Sequence, residues 1–167
     1  MLAGFTLGQV LAFTGCAGYR LGPTNGLEAR EKSVLIEPFA NHTLEPRLTD
    51  PISSQLRKQL QRDGTFQLAT GSSADILLTG VITRYQRVVL TLSPNDVLTA
   101  QDYRITVTAQ VTARERSTGR VLLDQPVTGS TLIQVGTDIT SAERQALPLL
   151  AGDLARNVVG LLVDGKW

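Results

Sequence analysis

Tyr103-Arg104-Ile105-Thr106-Val107-Thr108-Ala109-Gln110-Val111-Thr112-Ala113-Arg114 alternates without a break. Tyr103, Ile105, Val107, Ala109, Val111 and Ala113 fall on one side; Arg104, Thr106, Thr108, Gln110, Thr112 and Arg114 fall on the other. Successive side chains of a strand point to opposite faces, so this is the period of a strand with one buried and one wet face. Such half-wet strands belong to antiparallel sheets, whereas strands covered on both faces read as continuous apolar runs.

Working outward, Ile76 to Leu92 reads as an earlier strand with Ile76, Leu78, Gly80 and Ile82 on one side. Its alternation slips between Arg84 and Val89, which predicts a bulge or a change of register. Ser93-Pro94-Asn95-Asp96 opens the loop to the next strand. Downstream, Ser117-Thr118-Gly119 marks a tight hairpin before Val121 to Leu132, where Pro126 fits an edge position or a local break because proline cannot donate to a ladder. The three strands form a meander.

Helices frame them. Asp50-Pro51 supplies an N-cap and a first-turn proline, and Ile52, Leu56 and Leu60 follow at four-residue spacing before Asp63-Gly64. The outer face of that helix, with Gln55, Arg57, Lys58, Gln61 and Arg62, reads as a solvated surface. A second, longer helix follows, with Thr140 and Glu143 fitting a capping box, Leu147, Leu150, Leu154, Val158 and Leu161 on one stripe, and Pro148 expected to kink or delay it. A first strand is expected at Ser33-Val34-Leu35-Ile36-Glu37, ended by Pro38. The reading is a single α+β domain over residues 33–167 in the order β-α-β-β-β-α. Its sheet is four-stranded and mostly antiparallel, with both helices packed on one face. The other face, rich in Thr and Arg, stays polar.

The N-terminus has another composition. Residues 1–15 carry no charge and run through Val10-Leu11-Ala12-Phe13, too short for a spanning helix but the length of a signal-peptide hydrophobic region. Phe13-Thr14-Gly15 then precedes Cys16, the only cysteine, as small residues precede the cysteine of a lipobox. The leader lacks an opening Lys or Arg, and Phe13 stands where a lipobox usually has Leu. The competing reading is an apolar first helix with Cys16 as a small buried hydrophobe. Residues 1–15 are expected to be a lipoprotein signal peptide, and 16–32, with Gly22-Pro23-Thr24-Asn25-Gly26, a lipidated N-terminus and tether. Ala17, next to the cysteine, is not the Asp that retains enterobacterial lipoproteins in the inner membrane, and so favours the outer one.

Composition excludes whole classes of function. Sixteen basic against fifteen acidic residues give a net charge of +1, no field to gather nucleic acid. The only histidine, His42, has no cysteine or second histidine near it, so no zinc-type ligand set and no histidine-paired nucleophile is expected. Gly71-Ser72-Ser73 lacks the spacing and lysine of a phosphate loop. The aspartates are scattered, leaving no carboxylate pair suited to glycoside hydrolysis unless the fold assembles one. A binding protein without cofactor, metal or catalytic machinery is the expectation.

Cys16 with Gly18-Tyr19-Arg20, then Ile36-Glu37-Pro38-Phe39-Ala40-Asn41-His42-Thr43-Leu44-Glu45-Pro46 running into an amphipathic helix, resembles the LptE-type lipopolysaccharide-assembly lipoproteins. Tyr103-Arg104-Ile105-Thr106-Val107, Thr118-Gly119-Arg120-Val121-Leu122 and the C-terminal helix are similar to the family's third strand, hairpin and last helix. The resemblance implies a non-catalytic, lipid-anchored protein on the periplasmic face of the outer membrane. It would plug the lumen of an LptD-type β-barrel and help it move lipopolysaccharide. Lipid attachment would be at Cys16. The Thr- and Arg-bearing face suits a polar barrel interior. Arg84, Arg87, Arg104 and Arg114 are the candidates for contact with lipopolysaccharide phosphates or with the barrel, through charge-assisted hydrogen bonds. Each also reads as an ordinary solvated strand arginine. The alternatives are a generic envelope lipoprotein scaffolding another complex, and an unrecognised hydrolase.

Overall fold

The computed structural model describes residues 30–93, 96–134 and 138–165. The expected leader and most of the tether, Cys16 included, lie outside the described residues. Arg30 to Lys32, read above as the tether's end, are tied to the domain: Arg30 N–H donates to the Thr65 carbonyl, the Lys32 carbonyl accepts from Gln67, and Lys32 Nζ sits 2.8 Å from Glu115 Oε1.

Strands β1 (Ser33–Ile36), β2 (Ala40–Asn41), β3 (Gln67–Ala69), β4 (Ile76–Ser93), β5 (Asp96–Glu115) and β6 (Val121–Gln134) form one sheet with helices α1 (Thr49–Asp63) and α2 (Ile139–Asp164). The order across the sheet is β3-β1-β4-β5-β6, with β2 also on β4. This corrects the expectation of a four-stranded, mostly antiparallel sheet in the order β-α-β-β-β-α. The sheet has six strands and is mixed: β1 pairs parallel with β3 and β4, β2 pairs parallel with β4, and only the long ladders β4 to β5 and β5 to β6 are antiparallel. The added strands, two and three residues long, are too short to show any period.

The β4–β5 ladder runs from Ile76 opposite Glu115 to Ser93 opposite Asp96. β4 ends at Ser93 and β5 starts at Asp96, seven residues before the alternation that begins at Tyr103. The anticipated slip in β4 is a bulge between Ile82 and Arg84. Before it Ile76, Leu78 and Ile82 face the core with Ala113 and Ala109; after it Tyr85 is opposite Val107 and Arg87 opposite Ile105. The bulge thus turns Arg84 outward and Tyr85 and Arg87 toward the helices. β6 is the outer strand and takes Pro126, opposite Gln110, as expected of an edge.

One face of the sheet carries the core. Val34, Ile36, Ile76, Leu78, Ile82, Ile105, Val107 and Val111 pack with Ile52, Leu56 and Leu60 of α1 and Leu150, Leu154, Val158 and Leu162 of α2. Each such side chain contributes roughly 1.5–3 kcal/mol on burial. Leu162, not the expected Leu161, completes the α2 stripe. At 26 residues α2 is long and apolar enough to cross a membrane, but its apolar stripe is spent on this core. Close approach of α2 to the sheet depends on Gly129, where a Cβ would lie 2.5 Å from the backbone nitrogen of Leu154.

Helix ends differ from expectation. Asp50 lies inside α1, whose cap is Leu48; a 3-10 turn at Pro46–Leu48, capped by Glu45, leads into it. α1 stops at Gly64, whose φ of +77° is the left-handed conformation that glycine takes without cost. Asp138, not Thr140, caps α2 by accepting from the Thr140 and Ser141 amides. Glu143, freed from a capping box, is buried instead.

Candidate functional site

The open face of the sheet is a polar ladder. Thr79 and Thr83 hydroxyls donate to the Thr112 and Thr108 carbonyls, Thr108 meets Thr128 at 3.4 Å, and Gln110 and Thr112 both donate to Asp124. Arg84, Arg104 and Arg114 belong to this face through their partners Thr108, Val88 and Leu77. Arg87 does not: its guanidinium is 2.5 Å from Glu143 Oε1 on α2, with side-chain exposures of 43% and 10%. The four candidate arginines therefore do not all share one surface, and the cause is strand parity after the bulge. Nor do the other three form one site. Arg104 is four residues from Thr108, about 13 Å along the strand, and ten from Arg114, about 34 Å. Arg114 Nη1 donates to the Gly119 carbonyl and braces the β5–β6 hairpin.

Arg84 and Arg87 do line one groove of about 400 Å³, because it lies at the edge of β4 where the two faces meet. Its other wall is His42 to Glu45, and Thr83 and Tyr85 complete it. That wall belongs to the 36–46 segment on which the family resemblance rests. The side chains explain why it is a fixed wall. Asn41 Nδ2 donates to the Glu45 carbonyl, Asn41 Oδ1 accepts from the Thr43 amide and hydroxyl, and Thr43 Oγ1 accepts from the Glu45 amide. Glu45 then takes Arg47 through both carboxylate oxygens, at 2.7 and 3.1 Å, and that hydrogen-bonded guanidinium lowers its pKa. Asn, Thr and Glu at two-residue spacing was the signal that could have found it.

Charge in the groove is nearly, not wholly, matched. Arg47 holds Glu45 and Arg87 holds Glu143, while Arg84 has no hydrogen bond or ion pair among the described residues. The Tyr85 hydroxyl is buried without a hydrogen-bond partner among the described residues. Burial, with Glu143 adding to it, pushes its pKa up to about 12, so it stays protonated and able to donate. Among the described residues no cluster of three His, Cys, Asp or Glu side chains stands ready for a metal. The groove is open, and Glu45, which lines it, is bound to Arg47, so the unpaired Arg84 is left to offer hydrogen-bond donors to an acceptor ligand.

Beyond the groove the molecule changes character. Val88, Val89, Leu90 and Leu92 are each 45–54% exposed, and Leu132 on β6 and Leu149 on α2 are exposed too. A shallow groove between Leu132–Gln134 and Ala142–Leu149 joins these last two. The opposite end is ion-paired: Glu115 holds Lys32 and Arg120, and Arg116 reaches the Ser72 carbonyl.

A family model, LptE, described as lipopolysaccharide-assembly, matches residues 31–160. No curated protein matches the sequence of the chain. Among solved structures, a Xanthomonas campestris protein shares the fold with a TM-score of 0.63 and 15% identity, over 87% of this chain and 91% of that one. A Chlamydia trachomatis protein aligns at 0.59 and 10% identity, over 81% and 97%. The PelC dodecamer of Paraburkholderia phytofirmans contains the same fold at 0.51 and 16% identity, over 82% and 92%. At these identities the likenesses establish the fold.

Proposed function

The chain belongs to the LptE family of lipopolysaccharide-assembly lipoproteins, and from that premise we propose that it works without catalysis at the outer membrane, lodged in the lumen of an LptD-type β-barrel and anchored by lipid on Cys16. The observation that carries this reading is the family match from residue 31 to 160, nearly the whole described domain. The physical counterpart is the sheet's open face. A barrel lumen is polar, and a ladder of threonine, glutamine and arginine side chains offers it hydrogen-bonding groups.

Within that role Arg84 and Arg104 are the lipopolysaccharide or barrel contacts. Both stand on the open face, and neither has a charge partner among the described residues. A guanidinium so placed can take a phosphate or carboxylate through two parallel hydrogen bonds. Arg87 and Arg114 are occupied within the domain and serve as braces.

Extraction of the native envelope in mild detergent, followed by purification of this chain, tests the proposal. A large β-barrel of the lipopolysaccharide-assembly type should accompany it in equal amount. Recovery of the chain alone would overturn the barrel-plug reading, and recovery with an unrelated envelope complex would replace it with the generic scaffold.

A further inference from the structure

β4 is paired along its whole length with β5, but on its other side β1 covers only Ile76–Leu78 and β2 only Val81–Ile82. β2 leaves at His42, whose amide donates to the Ile82 carbonyl, and the fixed loop turns away toward α1. From Arg84 to Leu92, therefore, the edge of β4 has no strand beside it among the described residues. An unpaired edge of this length is usually blunted by charge, proline or a covering element. Here it is bordered by Val88, Val89 and Leu90, exposed on both faces.

We propose that this edge is a docking site for an extended polypeptide strand, which continues the line of β2, covers Val88, Val89 and Leu90, and sets a carboxylate against Arg84.

Two observations choose this occupant. The apolar band is bounded at both ends, by Arg84 and Arg87 below and by Ser93-Pro94-Asn95-Asp96 above. Its five residues, 88–92, span about 17 Å, the length of an average strand. A hairpin built to enter hydrocarbon would carry its apolar residues on from one strand into the next, and the sequence between β4 and β5 is polar. Charge makes the second argument. Of the three arginines at the foot of the edge, two are matched by Glu45 and Glu143 and Arg84 is left over. An acidic residue at the end of the incoming strand would pair with it. Main-chain hydrogen bonds would give such a complex its affinity and the flanking side chains its register, as in strand addition generally.

The test uses the full chain, 15N-labelled, and a synthetic nine-residue valine- and threonine-rich peptide ending in aspartate. On titration, amide resonances of residues 84–92 should shift and their hydrogen exchange slow at least ten-fold. Methylating alternate peptide nitrogens, replacing the peptide's aspartate by lysine, or making Arg84→Glu should each weaken binding at least ten-fold. Leu90→Lys should do the same with an unchanged circular dichroism spectrum and Tm, since Leu90 is exposed. Equal binding of the methylated peptide, or shifts confined to α2 or the open face, would overturn the proposal. So would a chain that ignores the peptide but binds phosphatidylglycerol vesicles through Leu90. A chain that sediments alone as a dimer dissociated by Leu90→Lys would do so too, by giving the edge to a second copy.

Discussion

Arg84 and Arg87 stand three residues apart on β4, and the bulge after Ile82 decides which of them faces solvent and which faces α2. Truncating them should therefore have unlike effects. Arg87→Ala leaves the Glu143 carboxylate, 10% exposed, without its partner. Breaking a fully buried pair costs about 3–5 kcal/mol, and the half-exposed Arg87 reduces this to about 1–2 kcal/mol. The expected result is a Tm lower by about 3–8 °C in a thermal melt, with Arg84→Ala unchanged within 1–2 °C. The second prediction at this scale concerns acid. Glu45 has a lowered pKa because Arg47 is hydrogen-bonded to its charged form, and Asp75 because the Ser33 hydroxyl and amide donate to it. A depressed carboxylate stabilises the fold above its unfolded pKa and loses that contribution as pH falls through the lower folded value. Tm should be level from pH 7 to 5 and decline below about 4.5. Glu45→Gln should start lower at pH 7 and decline less, as pH-dependent melts would show.

Packing of β6 against α2 depends on Gly129, where a methyl group would run into the nitrogen and Cα of Leu154, neither of which can move without the helix. Gly129→Ala should cost about 1–3 kcal/mol by prising the two elements apart. Gly160→Ala, with nothing within 4 Å of its added carbon, should instead stabilise α2 by up to about 1 kcal/mol. Chemical denaturation of the pair measures the contrast. The elements themselves were largely legible. Uninterrupted alternation from Tyr103 to Arg114 determined one face of the sheet, three- and four-residue spacing identified both helices, and the alternation lost between Arg84 and Val89 pointed to a bulge that lies just before it, between Ile82 and Arg84. What sequence could not supply was register and partnership. Three-residue β3 has no period to detect, and parallel pairing of β1 with β4 depends on α1 carrying the chain back across the sheet. Glu143 fitted a cap by spacing but was claimed by an arginine 56 residues away. The groove was legible only in part: Arg84 and Arg87 were named from charge, while Tyr85 and the Asn41–Glu45 wall needed the strand pairing to bring them together.

At the scale of the molecule, the domain has an ion-paired end and an aliphatic end, and the lipid proposed on Cys16 would moor it to a membrane. Mass spectrometry of the N-terminal peptide should find Cys16 as the first residue, heavier by several acyl chains; an unmodified Met1 in the mature protein would rule the anchor out. Acyl chains contribute about 0.8 kcal/mol per buried CH₂, so two or more would hold the chain durably to one leaflet. Pro126 matters in this setting. A protein with a bare strand edge, crowded on a membrane, is at risk of polymerising side by side, each copy's β4 adding to the next copy's β6. Proline at the middle of β6 has no N–H to offer such a neighbour. Growth through β6 is thereby opposed at Pro126, which lets the chain carry an open β4 margin with less risk of seeding fibres.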